Sequence, residues 1–413
     1  MKILKLFTLL SIFSLNSLLM AQDAAKTEEK STEQPAKVEE KKEEKKAEEK
    51  PADAKPEVKP ADKPAEKPAE KPAEKPADKP AEKPADKPAD KPSDKPADKP
   101  AESKPEETSN AKVILEDLDN PAGIAIQPET GIVFLSNSAA SQVIKVVNGK
   151  AEPVITDFPI DVYGKGPKFN IGPLGLLFLD KKTLVVGGGG LVDGQELLRV
   201  YELKEDGKPV KADEMKASFS LAEAGDIKGE GNFYALAATG DGIFVTCNGD
   251  DTKGWVSRAA VKGTEVSSFE RYLATKEATE VDAPVGITIS PEGYLVVGQM
   301  GEISVPNDSL ITFYDAASKE MLLNLKTNLH DIAAIAYSPR KQLYVLDYAW
   351  ADTTQGGLFQ VLKDESSDSG MRTKKIMSLD KPTAMAFDSD GALYITVIGE
   401  EKKGKLIQIP AGL

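Results

Sequence analysis

The chain repeats itself, and the period of the repeat decides the fold. Six times between residues 121 and 409 a short apolar strand is followed by a turn, usually with Gly or Asp, and a second strand rich in β-branched and aromatic residues. The first copy reads Pro121-Ala122-Gly123-Ile124-Ala125-Ile126, then a turn over Pro128-Glu129-Thr130-Gly131, then Ile132 to Leu135, with a third strand over Gln142 to Val146. Later copies open at Pro173, Tyr234, Pro284, Ile332 and Pro382. Aligned on Gly123, Gly175, Ala235, Gly286, Ala334 and Ala384, they lie 52, 60, 51, 48 and 50 residues apart. That is the length of a four-stranded propeller blade, so the sequence predicts an all-β, six-bladed β-propeller. The small anchor residue suits innermost strands that crowd around a central channel.

The ends of the repeat predict how the ring closes. The sixth copy has three strands before Leu413, while Ala111-Lys112-Val113-Ile114-Leu115 precedes the first copy with no partner. Set as the outer strand of blade six, it covers an edge that would otherwise invite aggregation. It also ties the two ends of the domain together without a disulfide. None is available, because Cys247 is the only cysteine. Its place in the apolar run Gly242 to Cys247 predicts a buried, inert thiol.

Residues 1–21 read as a secretory signal. Lys2 and Lys5 precede an apolar stretch from Leu6 to Met20, and Ala21 offers a cleavage point. An uncleaved anchor is the alternative, although the apolar stretch is short for a spanning helix. Export to the periplasm, the cell envelope or the medium follows as an expectation. Residues 22–110 hold almost nothing to bury. From Pro56 to Pro100 a proline recurs every fourth residue, as in Lys63-Pro64-Ala65-Glu66-Lys67-Pro68. Such a segment is expected to stay disordered and to favour polyproline II, as a stalk ahead of the propeller at 111–413.

Charge narrows the partners. Residues 1–109 hold 23 basic and 25 acidic side chains, so 53 − 23 = 30 and 67 − 25 = 42 remain for the rest, a net of −12. A surface of that sign repels nucleic acid and anionic lipid. A protein or glycan partner suits it better, and no oligomeric state can be read.

Loops after the second strand of each copy gather on one face of a propeller, where recognition concentrates. They include Asn248-Gly249-Asp250-Asp251, Gln299 to Asp308, and Asp347-Tyr348-Ala349-Trp350-Ala351-Asp352. With His330 and Asp331 at the mouth of blade five, the candidate binding face is Asp250, Asp251, His330, Asp331, Asp347, Tyr348, Trp350 and Asp352. Tyr348 and Trp350 read as exposed interface aromatics, with packing of Trp350 onto the next blade as the alternative. His330 is the only histidine, and beside Asp331 it could serve as a general base. A loop histidine with a solvated neighbour is the simpler expectation. One His and one Cys far apart cannot bind zinc in the usual way. Gly187 to Gly190 follow a strand, but no Lys-Ser/Thr or helix comes after them, so they read as a flexible loop rather than a phosphate cradle.

Three segments carry a family likeness: Pro121-Ala122-Gly123-Ile124, Pro284-Val285-Gly286-Ile287 with Gly293-Tyr294-Leu295-Val296-Val297, and Asp390-Gly391-Ala392-Leu393-Tyr394-Ile395. In these the chain resembles the NHL-repeat and SMP-30/gluconolactonase-like propellers, over about 300 residues. The enzymatic branch of that resemblance implies a lactonase- or esterase-like hydrolase with an axial Ca²⁺ held by a Glu and by Asn or Asp at the starts of inner strands. Gly229-Glu230-Gly231 is similar to its Gly-Glu-Gly motif, which would make Glu230 a ligand. The positions before the anchors hold Ala122, Leu174, Tyr234, Val285, Ala333 and Thr383, a poor oxygen set for Ca²⁺. The leading expectation is therefore a non-enzymatic, cofactor-free binding propeller, with the Ca²⁺-dependent hydrolase as the alternative.

Overall fold

Closure begins at the first strand. In the computed structural model, which describes residues 110–164, 168–249, 253–281 and 283–413, Lys112–Leu118 pairs antiparallel with Gly404–Ile409. Its register sets Val113 opposite Ile407 and Leu115 opposite Leu406. Leu115 and Leu118 are buried while Val113 points out, because the ladder shifts register between Val113 and Leu115 and again between Leu115 and Leu118, breaking the simple two-residue alternation. The Thr383 hydroxyl of blade six donates to the Pro121 carbonyl of blade one at 2.6 Å, fastening the same seam at the axis. The signal and stalk segments lie outside the described residues.

Each blade is an antiparallel sheet running outward from the axis. The innermost strands are Pro121–Ile126, Pro173–Phe178, Phe233–Ala238, Pro284–Ile289, Ile332–Tyr337 and Pro382–Phe387, where the repeat predicts them. Between neighbouring blades lie apolar layers, such as Leu198, Phe233, Ile243 and Val245 between blades two and three. Inner strands approach one another closely enough to exclude side chains. A Cβ on Gly123 would stand 1.9 Å from the Leu174 carbonyl oxygen. The Gly187–Gly190 segment corrects the flexible-loop expectation, because all four glycines are buried and a Cβ on Gly190 would meet the Pro159 carbonyl at 1.9 Å.

Two insertions break the regular plan. Val210–Lys211 leaves blade two and pairs in parallel with the outer strand of blade one. A hairpin of Asp161–Tyr163 and Phe169–Ile171 forms a separate two-stranded ribbon between blades one and two. This ribbon contributes to the mouth of the channel.

Because closure rests on two buried leucines and one ladder, deleting Lys112–Leu118 from the full chain should cost about 3–6 kcal/mol. A denaturant midpoint unchanged by the deletion would refute that role for the strand.

Candidate functional site

The mouth of the channel is built by residues that regular strands aim at the axis. Ala122, Leu174, Tyr234, Val285, Ala333 and Thr383 each precede an anchor and together ring it. Above them sit Tyr348 and Trp350, stacked with centroids 4.8 Å apart, and Phe169 of the hairpin meets Trp350 edge-on at 5.8 Å. Asn120 Nδ2 donates to the Asn170 carbonyl at 2.9 Å, and Asn248 Nδ2 donates to the Tyr163 hydroxyl at 3.2 Å. The hairpin is thereby held from blades one, three and five. Burial, with the nearby phenols Tyr163 and Tyr348, holds the Tyr234 hydroxyl in its neutral form. The mouth itself encloses ≈ 30 Å³, and below the ring lies a cavity of ≈ 80 Å³ walled by inner strands, room for a few waters.

A cluster of acids and one histidine adjoins this mouth at blade five. Asp347 ends the second strand of the blade opposite Ile332, and its carboxylate is 1% exposed. Its Oδ1 accepts from the backbone of Asp331 at 2.8 Å and of Ala349 at 3.1 Å. Its Oδ2 accepts from the His330 backbone at 3.1 Å and faces His330 Nδ1 at 3.4 Å. The His330 side chain is 27% exposed. Asp331, 2% exposed, accepts from the Trp350 backbone N–H through Oδ2. Burial raises its carboxyl to about 6 against the pull of that N–H, and the nearby Asp347 and Asp308 add to the rise. Ala349 sits at φ 52° in the turn between Tyr348 and Trp350, a left-handed conformation that Asp347 helps to hold.

This arrangement corrects several expectations. His330 faces Asp347, not its sequence neighbour Asp331, and Asp331 is buried rather than solvated. Tyr348 is 5% exposed and Trp350 half-buried, so neither is an exposed interface anchor. Trp350 packs on the hairpin and on Tyr348. Asp352 stays on the surface, where Thr354 N–H and hydroxyl bonds hold its carboxyl below the usual range. Asp250 and Asp251 lie outside the described residues.

Glu230 does not line the mouth. It is buried near Cys247, whose thiol burial pushes up, with the Glu230 charge adding to the rise. The glycines flanking it serve close packing, since a Cβ on Gly229 would stand 2.5 Å from Gly194 Cα. Among the described residues no group of three or more His, Cys, Asp or Glu could hold a metal ion. The mouth offers phenols, one Asn and one Thr against the six to eight oxygens that Ca²⁺ takes, so its donors do not fit an axial calcium.

Tyr163, Phe169, Tyr234 and Asn120 escaped the sequence reading. The available signal was a Tyr at one pre-anchor position where the other five hold Ala, Leu, Val or Thr, and the aromatic residues of the Phe158 to Phe169 insertion.

The chain matches no family model and no curated protein. It does match solved structures. A glucose dehydrogenase aligns with TM-score 0.51 and 14% identity, over 73% of this chain and 99% of its own. A luciferin-regenerating enzyme aligns at 0.49 and 11%, over 73% and 95%. A gluconolactonase from Xanthomonas campestris aligns at 0.48 and 13%, over 73% and 89%. What they share with this chain is the propeller. At 14% identity the match to the glucose dehydrogenase shows the fold, and none of the three bears on the NHL-repeat side of the family resemblance. The match also corrects the expectation of a non-enzymatic binding module, because the propeller whose whole length this chain spans at that score is named as an enzyme. No helix among the described residues is long and apolar enough to cross a membrane.

The raised Asp331 carboxyl makes a stability prediction with a definite sign. A folded-state value of about 6 against 3.8 means that the fold gains from protonation, a gain present below pH 4 and lost as pH rises through 6. Asp331→Asn removes the titration. The melting temperature of the variant minus that of the native chain should therefore rise from pH 4 to pH 7.5, by the equivalent of about 1–3 kcal/mol. A flat difference would show that Asp331 titrates normally.

Proposed function

We propose that the chain is a hydrolase of small uncharged esters or lactones that works at the axial mouth without Ca²⁺ in the channel. The observation that carries this reading is the contact of His330 Nδ1 with the buried Asp347 carboxylate. That contact leaves Nε2 as the nitrogen available to a water. The enzymes that share the fold support the same reading only in so far as they show propellers of this kind serving as catalytic scaffolds.

The chemistry needs only water as co-reactant. His330 Nε2 takes a proton from a water, whose oxygen bonds to the ester carbonyl carbon and turns the carbonyl into an oxyanion. Collapse of that intermediate breaks the C–O bond to the leaving group, and the proton on His330 passes to the departing oxygen. Asp347 stabilises the imidazolium in between and fixes the ring through Nδ1, the role of the acid in any His–carboxylate pair. Asp331 holds the Trp350 backbone, so the dyad and the aromatic wall are set by adjacent residues of one turn.

Export is part of the proposal and rests on the order of charge, apolar run and Ala21 at the N-terminus. N-terminal sequencing of the mature protein should begin at Gln22; a mature chain starting at Met1 would place the activity elsewhere.

Hydrolysis is tested with a panel of uncharged lactones and aryl esters, assayed with and without a chelator. Turnover that survives chelation and falls by about 10²–10⁴ in His330→Gln is expected. No turnover of any member, or turnover abolished by chelation, would overturn the proposal.

A further inference from the structure

Each blade of a propeller ends in an outer strand whose far side has no ladder, and proteins usually guard such edges with charge, a cap or short length. Five of the six blades here do so. Val210–Lys211 pairs with the outer strand of blade one, and Ala217–Phe219 of blade two is only three residues long. The outer strands of blades three, five and six carry charge within them, such as Arg271, Lys374 and Glu116. Blade four differs. Its outer strand, Met321-Leu322-Leu323-Asn324-Leu325-Lys326, has no charge before its last residue. Met321 is 37% exposed, Asn324 is exposed, and the three leucines are half-buried. Among the described residues only Leu310–Tyr314, on the inner side, pairs with this strand.

The ladder fixes which backbone groups stay free. Thr327 N–H donates inward to the Ser309 carbonyl, while Asn324 and Lys326 lie opposite Thr312 and Leu310. Because N–H and C=O alternate from side to side, Leu323 and Leu325 bond inward, and Asn324 and Lys326 turn theirs outward. A register shift beside Tyr314 breaks the ladder only at the Met321 end, so Leu323 to Lys326 stay regular. The two ends of the edge are of opposite charge. Glu320 and Lys326 are both exposed, and neither makes an ion pair with a described residue.

We infer that two copies of this chain pair through blade four, edge to edge and antiparallel, with Asn324 opposite its own copy. That register sets Leu323 of each copy opposite the partner's Leu325 and brings Glu320 toward the partner's Lys326, twice over. A pairing that matches itself in this way closes as a dimer. Elsewhere on the surface the net −12 of the domain opposes a second copy, so a charge-free edge is where two domains approach at least cost. So few residues bury far less than the roughly 1,000 Å² of a stable interface, which makes the dimer weak, with a dissociation constant on the order of 10–100 µM. The inference is independent of the hydrolase reading.

Sedimentation velocity of the full chain, from about 1 to about 500 µM, reads the association directly. A monomer at the low end and a dimer at the high end are expected. Asn324→Lys sets two like charges directly opposite each other and should weaken the dimer about tenfold or more. The melting temperature of the dilute variant should not fall, because Asn324 is exposed. Glu320→Lys or Lys326→Glu alone should weaken the dimer about three- to thirtyfold, and the two together should restore it. A chain that stays monomeric throughout, one that assembles past the dimer, or an association indifferent to Asn324→Lys overturns the inference. Should Asn324→Lys fold poorly, the charge exchange decides alone, and no recovery in the double variant overturns the inference.

Discussion

Everything in this propeller depends on six inner strands being held against one another around one axis. The pairing of Lys112–Leu118 with Gly404–Ile409 is what makes that a ring rather than an open stack. With a single cysteine, no covalent link can share the task. The seam is instead fixed at two radii, by Leu115 and Leu118 in the blade interface and by Thr383 on Pro121 at the axis. Close approach then removes choice at the centre. Gly123 has the Leu174 carbonyl where a Cβ would go, so the inner strands of blades one and two have one relative position. Rigidity of this kind is what a set of side chains drawn from different blades needs if it is to act together.

Buried polarity at blade five runs against that background. A carboxylate as enclosed as Asp347 is tolerable because three backbone N–H groups meet it. Those same bonds shape the turn that aims Tyr348 inward and sets Trp350 over the mouth, at the expense of a left-handed Ala349. Asp331 has one backbone donor and two acidic neighbours, and its carboxyl rises toward neutrality in consequence.

The ring was legible because period is a property of sequence. Inner and second strands fell where the copies align, and even the unpaired Ala111 to Leu115 announced its place by having no repeat of its own. The site was legible only in part. Loop position marked His330, Asp331, Asp347, Tyr348 and Trp350, but proximity in sequence suggested the wrong partner for the histidine. Asp347 reaches it across a ladder, through the pairing of Ile332 with Asp347, and such a contact becomes visible only once register is known. Tyr234, Tyr163 and Asn120 converge from separate blades and an insertion, so their meeting depends on closure rather than on any local pattern. Glu230 shows the opposite case. A motif matched in letters, while its glycines answer to the Gly194 backbone and the Asp193 side chain instead of to a metal.

Charge ties the dyad to the mouth in the proposed reaction. A neutral ester entering an uncharged aromatic wall gives up little hydration and meets no field that opposes it. Hydrolysis changes this at one stroke, because one product is a carboxylate formed beside Asp347 and Asp331, in a domain with about twelve excess negative charges. Like charges at short range in a partly desolvated site repel by several kcal/mol at most and by much less once water returns. The repulsion therefore acts where it favours turnover, on the bound anion, and fades as the product leaves. A wall without cations, which would be a defect in a site built to retain an acid, is consistent with one built to release it.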